Sequence, residues 1–207
     1  MVKVITNPLI QCKLSIMRDK ETCDYNFRSC LEEIASLMTC EVFKDLETVE
    51  TREIETPTGA KIKKVKLAKP IILAPVLRAG IGMVDGVRKM IPNARVGHIG
   101  LYRDEKTLTP VEYYFKLPQE KDATVVILDP MLATGGSIIN AISAVKEHGY
   151  KDIRCICLIG APEGKKAVEE AYPDIDIYIA ALDDHLNEHG YIMPGLGDAG
   201  DRIFGTK

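Results

Sequence analysis

The chain has no apolar run near the roughly 20 residues that cross a bilayer, and its start, MVKVITNPLIQCKLSIM, has neither a long apolar stretch nor a small-residue cleavage site. Those absences predict a cytoplasmic protein without a membrane partner. No CxxC pair occurs among the six cysteines, Cys12, Cys23, Cys30, Cys40, Cys155 and Cys157, which argues against a zinc ribbon or a disulfide framework and reads them as structural thiols. Basic charge is not in excess: 27 Lys and Arg stand against 30 Asp and Glu, so counterion release gives no reason to expect a nucleic-acid partner. What is present, 46% hydrophobic and 28% charged residues over 207 positions, is enough to bury one sizeable core, and disorder is not expected.

The first 66 residues differ from the rest. Phe27, Leu31, Ile34, Leu37 and Met38 recur at helical spacing within 24–39, behind an acidic N-cap candidate, and predict an amphipathic helix. Residues 47–55 and 61–67 flank the turn PTGA and predict a β-hairpin arm suited to solvent or to a neighbouring subunit. From Pro70 onward short apolar runs alternate with helical stretches: strands over 71–76, 94–101, 123–128, 153–159 and 175–181, and helices over 81–91, 137–148 and 162–171. The alternation predicts an α/β fold, an open, mainly parallel sheet with helices on both faces. It divides as an N-terminal helix and arm (1–66), a core (67–182) and a glycine-rich tail (183–207). In such sheets ligands bind beyond the carboxyl ends of the strands.

Three strand ends and the tail carry the chemistry. In VVILDPMLATGGS an apolar strand delivers Asp129, then Thr134, Gly135, Gly136 and Ser137 lead into a helix. Consecutive amides there, backed by a helix dipole, form a phosphate cradle. No Lys follows the glycines, so this is not a Walker loop. In APVLRAGIGMVDG, Arg78 follows a strand, where a guanidinium fork can grip diphosphate oxygens. Residues 100–118 read as an excursion of the kind used as a flap. The tail contains HLNEH (185–189), formally a zinc-peptidase pattern, but Gly190 follows at once and no long flanking helix is offered.

The run LDPMLATGGS resembles the phosphoribosyl pyrophosphate (PRPP) motif of type I phosphoribosyltransferases, in the variant of the uracil enzymes, where Pro130 replaces a second acid. PVLRAGIGMVDG and YIMPGLGDAGDRIFGT are similar to two further stretches of that family, in the same order. The resemblance implies a pentosyltransferase making UMP and diphosphate from uracil and PRPP. It places Asp129 on the ribose hydroxyls, Thr134 to Ser137 on the 5′-phosphate, and Pro130, Met131, Leu132 and Ala133 in the same PRPP loop. It also sets Arg78 and Arg103 on PRPP as electrostatic stabilisers, and Ile192, Gly197, Asp198 and Ala199 around uracil, with Asp198 near PRPP too. Mg²⁺ held mainly through PRPP, a homo-oligomer (dimer or tetramer) and GTP as a candidate effector follow from the same source. The alternative on this scaffold is an RNA-binding pyrimidine-operon regulator, but such proteins carry the two-acid motif and lack this tail.

Overall fold

The runs IILAPVL, TVVIL and DIRCICLIG lack polar alternation because each is covered on both faces. The computed structural model describes residues 1–103 and 110–206, with the side chains of residues 102, 103, 110 and 111 outside that description. In chain order the elements are β1 (Val2–Val4), α1 (Pro8–Arg18), α2 (Asp24–Val42), β2 (Thr48–Glu55), β3 (Lys61–Leu67), β4 (Ile71–Leu77), α3 (Ile81–Met90), β5 (Arg95–Val96), β6 (His98–Arg103) and β7 (Pro110–Lys116). They continue as β8 (Thr124–Leu128), β9 (Met131–Leu132), α4 (Gly136–Glu147), β10 (Asp152–Gly160), α5 (Pro162–Ala171), β11 (Asp176–Leu182), β12 (His185–Leu186), β13 (Ile192–Met193) and α6 (Ala199–Phe204).

The main sheet runs β1-β11-β10-β8-β4-β6-β7, with β5 beside β4 and β9 beside β10. Its pairings are parallel except for antiparallel β6 and β7. Side chains alternate between two cores as the strand period demands. Leu73, Val126, Leu128, Ile156 and Leu158 pack with Phe27, Leu31 and Ile34 of α2 and Met83 of α3. Ile72, Ala74, Val125, Ile127, Cys155 and Cys157 pack on the other face with Ile138, Ile142 and Val145 of α4. The expected α/β fold is therefore present, with helices on both faces.

Four expectations change. Residues 8–18 form α1, a helix additional to those expected: Asn7 caps it, accepting from Leu9 N–H at 2.9 Å, Pro8 opens it, and Ile10, Leu14 and Met17 are buried. The single strand expected over 94–101 is broken at Gly97, whose N–H donates to Leu73 C=O at 2.9 Å and whose missing Cβ would stand 2.3 Å from Lys116 C=O. The tail contains a helix after all: Asp198 caps α6, Gly205 ends it at φ 63°, and Ile203 enters the core. Finally, burial holds for Cys30, Cys155 and Cys157 but not for Cys12, Cys23 and Cys40, which are exposed. The hairpin β2–β3 is antiparallel as expected, and Val49, Ile62 and Val65 lie exposed on it.

Candidate active site

The chain leaves β4 through α3 toward β6 and leaves β8 through α4 toward β10, so the direction of progress across the sheet reverses between β4 and β8. That switch point opens a crevice at the strand ends. Register pairs Pro75 with Leu128, so the loops carrying Arg78 and Asp129 emerge side by side. Gly80 lets them meet, since a Cβ there would lie 2.2 Å from Leu128 C=O. The Leu77–Arg78 peptide is cis.

Asp129 is buried where β8 ends, and its Oδ1 accepts a long hydrogen bond from Met131 N–H at 3.3 Å. Desolvation pushes its carboxyl up to about 7, and that one amide offsets little of it. Downstream, Pro130 C=O accepts from Leu158 and Ile159 N–H, and Leu132 packs fully into the core while its C=O accepts from Ala161 N–H. Those two residues can offer a ligand little beyond main chain. Gly135 takes the left-handed conformation at φ 85° as N-cap of α4, and no side chain caps the helix. The Gly136 N–H donates a long hydrogen bond to Thr134 Oγ1, at 3.5 Å. The first-turn amides of α4 are thus left for an anion.

The loop after β9 rests on α5. A Cβ on Gly164 would lie 2.3 Å from Ala133 C=O and 2.7 Å from Leu132 C=O. Gly164→Ala must therefore push the loop outward. We expect it to cost about 1–3 kcal/mol of stability, read by denaturant midpoint.

Arg78, Met131, Ala133, Ile192, Gly197, Asp198 and Ala199 line one cleft of 320 Å³, with Gly190, Tyr191, Ala79 and Gly200 completing its walls. Residues from three separate motifs thus meet. A larger cavity of 1130 Å³ opens between the hairpin, the end of α2 and residues 90–95, and none of the motif residues reaches it. Arg78 Nη2 stands 3.4 Å from Asp201 Oδ1, and its guanidinium lies 5.7 Å from the Phe204 ring centre. Asp198 Oδ1 accepts from Asp201 N–H at 2.9 Å. The Arg103 backbone closes β6 opposite Pro110, whereas its side chain and the whole of Lys106 lie outside the described residues.

Arg202 and Arg28 fasten the tail to the N-terminal helices. Arg202 donates to the carbonyls of Met17, Leu196 (3.0 Å) and Asp19 (2.7 Å), and stacks over Phe27 at 4.5 Å. Burial pulls its pKa down. Arg28 donates to Ile203 C=O at 2.8 Å. Sequence reading missed these anchors, and it missed Asp201, whose one local signal was its place three residues after the cap Asp198. His185 lies in β12 and His189 beyond it in the turn, so HLNEH forms no helix face to hold a metal.

A mainly parallel sheet with helices on both faces, a glycine loop opening α4 and an arginine at the neighbouring strand end, both beside its switch point, is the architecture of a type I phosphoribosyltransferase. The fold is shared with a hypoxanthine phosphoribosyltransferase from Staphylococcus aureus, at TM-score 0.53 and 14% identity over 77% of this chain and 76% of that one. The family model described as uracil phosphoribosyltransferase matches residues 4–206, and the chain belongs to that family. It is 59% identical over 207 residues to a uracil phosphoribosyltransferase of Geobacillus kaustophilus, covering 100% of this chain and 99% of the relative. Identity to the protein of that name from Clostridium acetobutylicum is 58% over the same shares. A solved structure of an Aquifex aeolicus protein superposes at TM-score 0.92 with 38% identity, over 99% of this chain and 98% of that one.

Proposed function

We propose that the protein transfers the 5-phosphoribosyl group of PRPP to N1 of uracil, giving UMP and diphosphate in pyrimidine salvage. The observation that carries this reading is the meeting of Arg78, the loop after Asp129 and the tail 190–200 on one cleft. The 5′-phosphate sits on the first-turn amides of α4, with Thr134 and Ser137 hydroxyls beside it. The ribose hydroxyls donate to Asp129, which in the free protein has one weak donor and no cation among the described residues. Arg78 takes diphosphate oxygens in exchange for its long contact with Asp201.

The bond from ribose C1 to diphosphate breaks toward an oxocarbenium-like centre, as in glycoside hydrolysis. The leaving group gains charge, which Arg78 neutralises from a fixed position. Uracil N1 is held in line by main-chain groups at Ile192 and 197–199, and enclosure of the cleft keeps water from C1. Main-chain donors and acceptors aimed at uracil N3–H and O4 leave cytosine's reversed pair unsatisfied.

Among the described residues no three His, Cys, Asp or Glu gather to hold a metal. With one buried carboxylate at the site, the donor set fits a Mg²⁺ that would take most ligands from PRPP oxygens and water, with Asp129 as the residue that would hold it. Such an ion would supply charge neutralisation for the departing diphosphate. The exposed Val49, Ile62 and Val65 on the hairpin support a homo-oligomer.

Incubation with labelled uracil, PRPP and Mg²⁺ should yield UMP, while cytosine, hypoxanthine and orotate yield no nucleotide. Equal turnover of cytosine, or none of uracil, would remove the reading.

A further inference from the structure

The base end of the cleft is main chain with little regular structure to hold its register. Between Gly190 and Asp198 the described backbone has one two-residue strand, β13, and positive φ at Gly190, Gly195 and Gly197. One ion pair, between the partly exposed Arg18 and the buried Asp183, grips it. Asp183 follows β11, with its side chain only 5% exposed, and its N–H donates to Gly160 C=O at 2.8 Å. Arg18, the last residue of α1, donates to both its carboxylate oxygens, Nη1 to Oδ2 at 2.7 Å and Nη2 to Oδ1 at 2.6 Å. The same pair holds both polar groups of Gly195. Its N–H donates to Asp183 Oδ2 at 2.9 Å, and its C=O accepts from Arg18 Nη1 at 2.7 Å.

At Gly195 this grip sets the path of the chain. It turns at φ 63°, and a Cβ would lie 2.0 Å from Ile192 C=O, so the chain is folded tightly back on the residue at the other side of the base site. Arg202 then pins the next carbonyl, that of Leu196, at 3.0 Å. The groups following these fixed points, from Gly197 to Ala199, line the cleft, whereas Arg18, Asp183 and Gly195 do not. A buried ion pair gives little net stability, because desolvation of both charges opposes their attraction. What it supplies here is orientation.

We propose that Arg18 and Asp183 are positioning residues for the base: through Gly195 they set the register of the hood backbone and so the choice of uracil over cytosine, touching neither substrate. The inference rests on the reading that the hood holds the base. Recognition by main-chain hydrogen bonds loses about 10²-fold for a misplacement of about 1 Å.

The test is steady-state kinetics of Asp183→Asn and of the double variant Arg18→Gln with Asp183→Asn. The double variant removes both charges together, so that no buried charge is left unpaired should the single variant fold poorly. We expect KM for uracil to rise about 10- to 100-fold, KM for PRPP to stay within about twofold, and the uracil-to-cytosine ratio of kcat/KM to fall about tenfold or more. Equal changes in both KM values, or a lowered Tm with uracil kinetics and selectivity unchanged, would overturn the proposal, since a merely structural role predicts those. Gly197→Ala separates the two ideas. If it raises KM for uracil and the double variant does not, the clamp is wrong and the hood reading stands; if Gly197→Ala leaves uracil untouched, the hood reading fails and the clamp fails with it.

Discussion

Arg78→Ala is expected to lower kcat/KM for PRPP by about 10²- to 10³-fold, the usual cost of removing one fixed donor from a developing charge. Folding should be nearly unaffected. The Arg78 side chain is 58% exposed, and its ion pair with Asp201 is long, at 3.4 Å, so the pair contributes about 0–1 kcal/mol. Arg78→Lys should recover less than about tenfold of the loss, because an ammonium lacks the planar fork that grips two diphosphate oxygens. Loss of activity in step with loss of secondary structure would point instead to a structural arginine. Near-normal turnover with a normal Tm would mean that the loop after β4 does not hold the diphosphate.

Asp129→Asn should make the protein more stable at pH 8 and worse at binding PRPP. Burial raises the carboxyl from 3.8 to about 7, so between those values the native state binds more protons than the unfolded chain. Stability therefore falls as pH rises across that window, and the whole penalty is present above pH 7. At 1.36 kcal/mol per pKa unit it is on the order of 4 kcal/mol, less the roughly 1–3 kcal/mol that an unpartnered amide N–H₂ costs in the variant. With about 2–4 °C per kcal/mol for a domain of this size, the variant's Tm advantage should widen by about 5–11 °C from pH 5 to pH 8. On the proposed reading the same substitution also removes the charged acceptor for the ribose hydroxyls. KM for PRPP should rise about 10- to 100-fold, from about 1.5–3 kcal/mol per charge-assisted hydrogen bond, with KM for uracil changed about twofold at most. A Tm difference that is flat with pH would refute the burial argument, and equal effects on both substrates would refute the ribose contact.

The parts of the fold legible in the sequence are those whose cause is local. The apolar runs of β4, β8 and β10 stand out because a central parallel strand has no solvent face. The strand, loop and helix of β8 and α4 were legible because an apolar run ending in Asp129 is followed within a few residues by two glycines and an amphipathic stretch. Helix α1 carries its own signals, an Asn-Pro start and Ile10, Leu14 and Met17 at helical spacing, but it is short and its apolar run is broken by Gln11, Cys12 and Lys13. Helix α6 was hidden by the glycines that flank it, since composition averages over a segment while Asp198 and Gly205 act at single positions. Gly164 and the pair Arg18 and Asp183 could not be found locally at all. The glycine matters only because α5 packs on the loop after β8, and the ion pair joins residues 165 apart in the chain.

Co-crystallisation with UMP puts the whole account to its most direct trial. The phosphate should lie on the amides of residues 135–138 with the ribose hydroxyls on Asp129, and the pyrimidine should meet the main chain of Ile192 and of residues 197–199. Nucleotide bound in the cavity beside the hairpin, with the strand-end cleft empty of it, would contradict the account.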